Sequence, residues 1–212
     1  MRDSGRMNTM RCTAHFKSTA KTFAAMSLVA VALAGCLGGG AKNDTFDLSA
    51  VSKVDVARTA RNRQLLIADP AALKALDSEN VLVRVSSSEI RYLSNSQWSD
   101  KLPRMVQAKL AEAFEDTGRL GGVGRPGQGL AIDYQLVTEI RSFEIDTSGA
   151  DRANVEISVK LLNDRNGSVK AQDTFIATVN ARGTQNSAYI QALDQAFGAV
   201  TADIVRWTLT KI

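Results

Sequence analysis

The chain has 212 residues, enough for one domain with a substantial hydrophobic core. It carries 26 basic and 22 acidic residues, but only one histidine and two cysteines. His15 and Cys12 both lie within the first 35 residues, so a product that lacks this segment has no imidazole and a single thiol. Such a product cannot build a Ser-His-Asp or Cys-His catalytic site, the usual zinc sites or an intrachain disulfide.

Residues 1–35 combine a basic start with a short apolar run. The charged residues in this segment are Arg2, Asp3, Arg6, Arg11, Lys17 and Lys21. Residues 23–33 contain one polar residue, Ser27, and their length is about half of the ~20 residues that span a bilayer as a helix. A basic region before a short apolar region predicts a secretory signal peptide over residues 1–35. A start at Met7 or Met10 instead of Met1 would give this peptide a more ordinary basic region.

Cys36 follows the apolar run directly, within the sequence LAGC at 33–36. This sequence resembles the lipobox of bacterial lipoproteins, in which the cysteine thiol takes a diacylglyceryl group and the peptide is cut before it. The alternative is a buried structural thiol, but the flanking glycines have no side chains that could bury it. Two or more acyl chains on one residue hold a protein to a bilayer, at ~0.8 kcal/mol per buried CH₂. We therefore predict Cys36 to be a lipid attachment site.

Loss of the leader also changes the charge of the chain. Residues 1–35 hold five of the 26 basic and one of the 22 acidic residues, so 21 of each remain. A neutral product lacks the basic surface that nucleic-acid binding needs, so no nucleic-acid partner is predicted. Leu37 occupies the position where an aspartate resembles the enteric signal for inner-membrane retention, which favours the outer membrane.

The small and polar residues that follow predict a lipidated cysteine and flexible tether over 36–44, and a single periplasmic domain over 45–212. A first strand is expected to begin near Phe46. Residues 51–63 show no clear pattern, and their three arginines, Arg58, Arg61 and Arg63, fit either a solvated loop or contact with anionic lipid headgroups. Branched and aromatic residues predict strands at 81–85 and 89–93, separated by three serines.

The rest of the chain alternates clear helical and strand patterns. Ser99-Asp100 is expected to cap an amphipathic helix that tolerates Pro103 in its first turns and ends at Gly118. The apolar positions of this helix are Leu102, Met105, Val106, Leu110 and Phe114. A long strand over 132–145 changes phase near Ser142, which predicts a β-bulge there.

Two more strands and a helix complete the predicted domain. The strands cover 155–161 and 169–179 and are joined by a hairpin loop at 163–167. The final helix has apolar residues at Ile190, Leu193, Phe197, Val200, Ile204 and Trp207, a stripe suited to packing on a sheet. This order predicts an α+β two-layer sandwich, a mostly antiparallel sheet with two main helices on one face.

Two motifs resemble catalytic or cofactor signatures. GVGRPG at 122–127 matches the dinucleotide fingerprint, but a helix precedes it and a strand follows, the reverse of the order that aims helix amides at a pyrophosphate. We therefore expect a mobile connecting loop here. The acidic pairs are Glu115 with Asp116 and Glu144 with Asp146, and solvated surface is the expectation for both pairs. No catalytic, cofactor or metal site is predicted.

Several soft motifs occur in one order over nearly all of residues 36–212. They are the LAGC lipobox, Phe46-Asp47-Leu48, Arg91-Tyr92 with Trp98 and Leu102-Pro103, Tyr134 and Leu136 with Phe143-Glu144, the hairpin at Gly167 and the helix ending near Trp207. This arrangement resembles the ABC-type transport auxiliary lipoproteins, the group that contains the paraquat-inducible C lipoprotein. Residues 51–80 depart from the family pattern. The pattern predicts a clear strand in this segment, but the sequence there includes DPAALK at 69–74, which does not look like a strand.

The resemblance implies a function through partners and not through catalysis. Members of this group accompany an ATPase, a permease and an MCE-domain protein that bridges the periplasm and moves lipids between membranes. It implies a non-enzymatic lipoprotein that docks the bridging MCE protein at the outer membrane. Members can also form rings, so a homo-oligomer through the sheet edge or the final helix is expected.

Two alternatives stay open on the sequence alone. The first is a lipoprotein assembly partner of another envelope machine, such as lipopolysaccharide export or peptidoglycan synthase activation. The second is an enzyme that uses carboxylates only, with Glu144 and Asp146 as its acid and base.

Overall fold

The computed structural model describes residues 43–51 and 54–212, and residues 43–212 form one compact unit. The predicted signal peptide over 1–35, the attachment site Cys36 and the tether up to residue 42 lie outside the described residues. Within the described ranges, none of the helices has the length and apolar character needed to cross a bilayer.

Nine strands and two helices are present in the described residues. In chain order they are β1 (Asp44–Phe46), β2 (Ala60–Ile67), β3 (Ala71–Ala72), β4 (Asn80–Arg84), β5 (Ile90–Trp98), α1 (Leu102–Asp116), β6 (Leu120–Gly124), β7 (Tyr134–Asp146), β8 (Arg152–Asn163), β9 (Val169–Asn180) and α2 (Asn186–Lys211). The α+β class predicted from the sequence is confirmed, and its two-layer arrangement stays a prediction.

The longest strand, β7, organises the sheet. On one side it pairs with β8 along its whole length, and β8 pairs with β9, all antiparallel. On the other side it pairs in succession with β2, β3 and β4, all parallel, while β5 and β1 continue outward from β4 and β6 from β2. Five of the eight pairings are parallel, so the sheet is more mixed than the mostly antiparallel sheet expected, although the longest ladders are antiparallel.

The predicted bulge lies where it was expected. The register between β7 and β8 shifts between Ile140 and Ser142. Because one extra residue reverses the alternation of side chains, both Ile140 before the bulge and Phe143 after it are buried. The bulge therefore lets one long strand keep a continuous apolar face.

Both predicted helical stripes are buried. The stripe of α1 and the α2 residues up to Ile204 are nearly inaccessible to solvent, and α2 packs against β7, β8 and β9. Aromatic rings join the helix to the sheet, because Phe143 contacts both Trp98 and Phe197 at centroid distances of 5.8 Å. At the end of the stripe, Trp207 is partly buried against Phe175 of β9.

Helix α1 begins one residue later than its predicted cap. Lys101 is the N-cap residue and forms no side-chain cap bond, so the prediction of Ser99-Asp100 as the cap is wrong. The Leu102 amide donates instead to the Ser78 carbonyl at 3.1 Å, which satisfies a helix N–H that a cap side chain would otherwise bind. At the other end, Gly118 adopts φ 59°, the left-handed conformation that terminates helices, as predicted.

Residues 51–80 contain the strands that the sequence pattern does not reveal. β2 covers Ala60–Ile67 and β3 covers Ala71–Ala72. Leu65 and Ile67 of β2 are fully buried and pair with the start of β7. β2 therefore lies inside the sheet, between β6 and β7, whereas residues 54–59 form neither helix nor strand. The first strand also starts earlier than expected, at Asp44, with Leu48 buried just after it.

Gly121 of β6 is expected to tolerate no side chain. A Cβ atom at this position would lie 2.3 Å from the Arg61 carbonyl oxygen, where the register between β2 and β6 is irregular. We expect Gly121→Ala to lower the free energy of unfolding by about 1–3 kcal/mol, because backbone atoms must move.

Gly198 of α2 is a matched control, because no heavy atom lies within 4 Å of a Cβ placed there. Gly198→Ala should raise the free energy of unfolding by up to about 1 kcal/mol through helix propensity. Urea denaturation of both variants measures the two effects. A Gly121→Ala protein as stable as the parent would contradict the close approach of β2 and β6.

Candidate functional site

The acidic pair that the sequence offers as a candidate acid and base lies at the end of β7. Glu144 forms a two-bond ion pair with Arg84 of β4, with Nε–Oε1 at 2.5 Å and Nη2–Oε2 at 2.9 Å. The Glu144 side chain is only 7% exposed, and its hydrogen bonds raise the pKa of Arg84 above its ordinary value. The prediction of a solvated glutamate is therefore wrong.

Asp146 is held in a second ion pair, two residues along the strand. Its side chain is 8% exposed and accepts bonds from the Ser148 hydroxyl at 2.6 Å and from Arg152 Nη2 at 2.8 Å. The bonds from Ser148 and Arg152 lower the pKa of Asp146 to about 2, against an ordinary 3.8. Asp146 is thus also buried, contrary to the expectation of solvated surface.

This arrangement differs from the acid–base pair of a glycosidase. A glycosidase-type pair needs one carboxyl that keeps its proton near neutral pH, which requires a raised pKa. Asp146 has the opposite shift, and Glu144 is occupied by a guanidinium. Arg84 of β4 and Arg152 of β8 both lie opposite Asp146 of β7 in the strand register. The two ion pairs therefore lie on the same face of the sheet and join β4, β7 and β8.

The lowered pKa of Asp146 predicts a pH-dependent contribution to stability. A depressed folded-state pKa stabilises the fold above about pH 4, and this stabilisation is lost as pH falls toward 2. At neutral pH the contribution is at most about 2 kcal/mol. We expect Asp146→Asn to reduce the free energy of unfolding near neutral pH and to differ little from the parent near pH 2.

Urea denaturation across this pH range measures the prediction. Glu139→Gln is a suitable control, since the Glu139 side chain is largely exposed and its ion pair with Arg141 is solvated. Parallel pH profiles for Asp146→Asn and the parent would contradict the assignment.

The glycines of the dinucleotide-like motif lie in a strand. Gly122 and Gly124 belong to β6, which pairs with β2, so the expectation of a loop is wrong for this half of the motif. Helix α1 precedes the motif and β7 follows it, as expected. At Gly124, a Cβ would lie 2.1 Å from a methyl carbon of Leu130. Packing against Leu130 at Gly124 and the φ of 87° at Gly127 favour glycine at two of the three motif positions.

Two of the three arginines between residues 58 and 63 form contacts within the domain. Arg58 Nη1 donates to the Thr210 carbonyl at 2.8 Å, and Arg63 forms an ion pair with Asp133 at 3.3 Å. Arg61 is exposed on β2. Contacts within the fold therefore explain Arg58 and Arg63 without lipid headgroups.

An open groove of about 900 Å³ follows the start of α1. Its charged lining residues are Asp47, Asp69, Asp77, Asp100, Lys101, Arg104, Lys109 and Arg125. Several of these pair with each other, as Lys101 does with Asp77 at 3.3 Å. At the groove's base, Gln107 Nε2 donates to the Ile67 carbonyl and to Asp69. In the described residues, no group of three or more metal-ligating side chains is present.

Two sheet edges carry exposed apolar side chains. Among the described strands, β9 pairs only with β8, and its Ile176 is 66% exposed. At the opposite edge, β1 covers β5 only from Ser96 to Trp98, and Ile90 and Tyr92 are 41% and 47% exposed. A polar residue between two apolar ones, as in Ile90-Arg91-Tyr92, is the pattern of an edge strand, but it does not say which face is covered.

The chain belongs to the family of ABC-type transport auxiliary lipoprotein components, which it matches over residues 46–205. The resemblance found in the sequence is thereby confirmed. The family description implies a bacterial envelope lipoprotein associated with an ABC transporter, and it names no reaction.

Individual relatives support the same fold. The Xanthomonas campestris protein XCC0632, of family DUF330, is 28% identical in its crystal structure, with a TM-score of 0.74 over 79% of this chain and 95% of that one. The hypothetical protein CT253 of Chlamydia trachomatis shares the fold at 8% identity, with a TM-score of 0.54 over 70% of this chain and 96% of that one.

A longer relative comes from Bradyrhizobium diazoefficiens. This uncharacterized protein is 27% identical over 177 residues, 82% of this chain and 48% of the relative. The chain therefore spans about half the length of the curated relative that it matches.

Proposed function

We propose that this protein is a lipid-anchored periplasmic auxiliary component of an MCE-type ABC lipid transport system. In this role it docks the periplasm-spanning MCE protein, with its permease and ATPase, at the outer membrane. The observation that carries the proposal is the family match over residues 46–205 behind the lipobox at Cys36. No cofactor is required, because the work is done by binding.

The outer membrane is favoured by the residue after the anchor. Leu37 stands where an aspartate would resemble the inner-membrane retention signal. Residues 1–35 serve as the signal peptide and residues 36–44 as the lipidated tether in this proposal. The domain then lies in the periplasm, within reach of a protein that bridges the two membranes.

The partner is proposed to meet the sheet face that the helices leave free. We take the sheet and the two helices as two layers, so that Arg141, Lys160 and Ile176 lie on the helix-free side. Arg141 bonds Glu139 and Thr174 on this side, and its side chain is half exposed. Paired charges on an open sheet face fit the rim of a protein interface.

A homo-oligomer is proposed through the edge of β9. The outward positions of α2, including Gln191, Gln195 and Arg206, are polar, which makes the helix a poorer contact surface than the strand. β9 offers a twelve-residue ladder with Ile176 exposed, and unpaired edges bind other strands readily. Light scattering of the full chain should give a multimer for the parent and a smaller species for Ile176→Asp. An equal mass for both would rule out this edge.

The transport role is tested in cells that lack this gene and carry a gene for an MCE-domain protein. We expect the MCE protein to lose its cofractionation with the outer membrane, and the full chain to restore it. Affinity capture from intact membranes should recover the MCE protein. Unchanged MCE fractionation, or recovery of lipopolysaccharide-export or peptidoglycan-synthase proteins instead, would replace this proposal with the assembly-partner alternative.

A further inference from the structure

We propose that the tip of the β4–β5 hairpin, with Ile90 and Tyr92, rests on the lipid bilayer surface. This surface, called the hairpin patch below, comprises residues 86–92. The inference rests on the proposed lipid anchor at Cys36 and adds to it the orientation of the domain. The occupant is the headgroup region of the membrane that holds the anchor.

The first step is the point at which the tether joins the domain. β1 runs parallel to β5, with Asp44 beside Ser96. Asn43 is held at the same place, since its side-chain amide donates to Gln97 at 3.2 Å. Because the two strands are parallel, the chain enters β1 from the side of the sheet on which β5 begins, at Ile90. The tether therefore joins the domain at the edge that carries the hairpin patch.

The second step is the reach of the tether. Seven residue steps separate Cys36 from Asn43, which span at most about 25 Å when fully extended and about 15 Å as a glycine-rich coil. The distance along β5 from Ser96 to Ile90 is about 20 Å. The tether is therefore long enough for a bilayer that holds the acyl chains of Cys36 to reach Ile90.

The third step is the chemistry of the exposed residues. Ile90 and Tyr92 are neighbours on one face of β5, the strand with which β1 pairs, and they are 41% and 47% exposed. Tyrosine, with an apolar ring and a polar hydroxyl, is enriched where membranes meet water. Arg91, on the opposite face of β5, is 68% exposed and forms an ion pair with Glu89 at 2.7 Å, so the patch also carries charge at the level of the headgroups. A patch of this composition suits an interface that is part hydrocarbon and part headgroup.

The β8–β9 turn lies at the end of the sheet opposite to the hairpin patch. Leu162 of β8 pairs with Gln135 near the start of β7 and with Val169 near the start of β9. The β8–β9 turn with Asn166 therefore lies at the opposite end of β7 from Asp146, whose neighbour Arg84 pairs with Ile90. This orientation leaves the β8–β9 turn facing away from the bilayer.

The experiment uses the full lipidated chain in vesicles of phosphatidylethanolamine and phosphatidylglycerol. Apart from Cys12 and Cys36 the chain has no cysteine, so Ser88→Cys in the hairpin patch and Asn166→Cys in the far turn can each take one fluorescent label. Quenching by lipids with a nitroxide headgroup reports proximity to the membrane surface. We expect several-fold stronger quenching at position 88 than at position 166.

A second variant tests the side chains themselves. Ile90→Ser with Tyr92→Ser should reduce quenching at position 88 while palmitate incorporation and vesicle binding stay at the parent level. Equal quenching at both positions, in protein that carries palmitate, would overturn the orientation and leave the anchor intact. A parent chain that takes no palmitate would overturn the anchor and this inference together. A photocrosslinker at position 92 that captures protein and no lipid would also overturn it.

Discussion

Replacement of Cys36 by serine is expected to release the protein from membranes. Serine has no thiol to take the diacylglyceryl group, so the acyl chains are lost and, with them, ~0.8 kcal/mol of membrane binding for every CH₂ they would bury. Palmitate labelling should fall to background, and the protein should leave the membrane pellet. This is the largest functional effect expected of any single change in the chain, because every partner contact in the proposal is made at a membrane.

Cys12→Ser is the matched control for this experiment. Cys12 is the only other cysteine, and it lies within the predicted signal peptide. Its replacement should leave palmitate labelling and sedimentation at the parent level. Membrane sedimentation of Cys36→Ser, together with an unlabelled parent, would remove the basis for the anchor and for the orientation inferred from it.

Replacement of Arg84 by methionine is expected to give the largest loss of stability among the charged positions. It leaves the Glu144 carboxylate in a site where its side chain is 7% exposed, without the guanidinium that binds both of its oxygens. Breaking a buried ion pair from one side costs about 3–5 kcal/mol. Urea denaturation near neutral pH measures the change in the free energy of unfolding.

Replacement of the other partner, Glu144, should lower the free energy of unfolding much less. Arg84 is 35% exposed, so in Glu144→Gln its charge still reaches water, and the expected loss is about 1 kcal/mol. The double variant Arg84→Met with Glu144→Leu should be more stable than Arg84→Met alone, because no unpaired charge remains. Equal losses for the two single variants would mean that Glu144 is better solvated than its burial indicates.

These variants also separate a structural role from a catalytic one. If Glu144 and Asp146 served as acid and base, their amide variants would lose function while staying folded. If the two carboxylates act only through their ion pairs, the variants should lose stability first, and any loss of function should result from that loss of stability. We expect both amide variants to lose stability, because both carboxylates are buried in ion pairs.

Local patterns in the sequence predicted much of the fold. The stripes of α1 and α2 recur at helical spacing over many residues, and each stripe is buried as expected. The bulge near Ser142 was predictable because a phase change within one strand leaves few other solutions. The hairpin between β8 and β9 was predictable from its Asn- and Gly-containing loop.

β2 could not be predicted in the same way. Its sequence, ARNRQLLI, begins with charged and polar residues and shows little alternation. Its strand conformation depends on parallel pairing with β6 and β7, which follow it by more than fifty residues. A parallel pairing of this kind leaves no turn signal in the sequence, because the two strands are joined by other elements.

The amino-acid sequence by itself determined the family and the class of the fold and predicted the export signal and the anchor, since each depends on short motifs or on periodicities within one segment. Only the tertiary structure decided which carboxylates are buried and which apolar residues are exposed. Burial depends on neighbours that are distant along the chain: Arg84 covers Glu144 across a strand pairing, whereas nothing among the described residues covers Ile90 and Tyr92 in the same way.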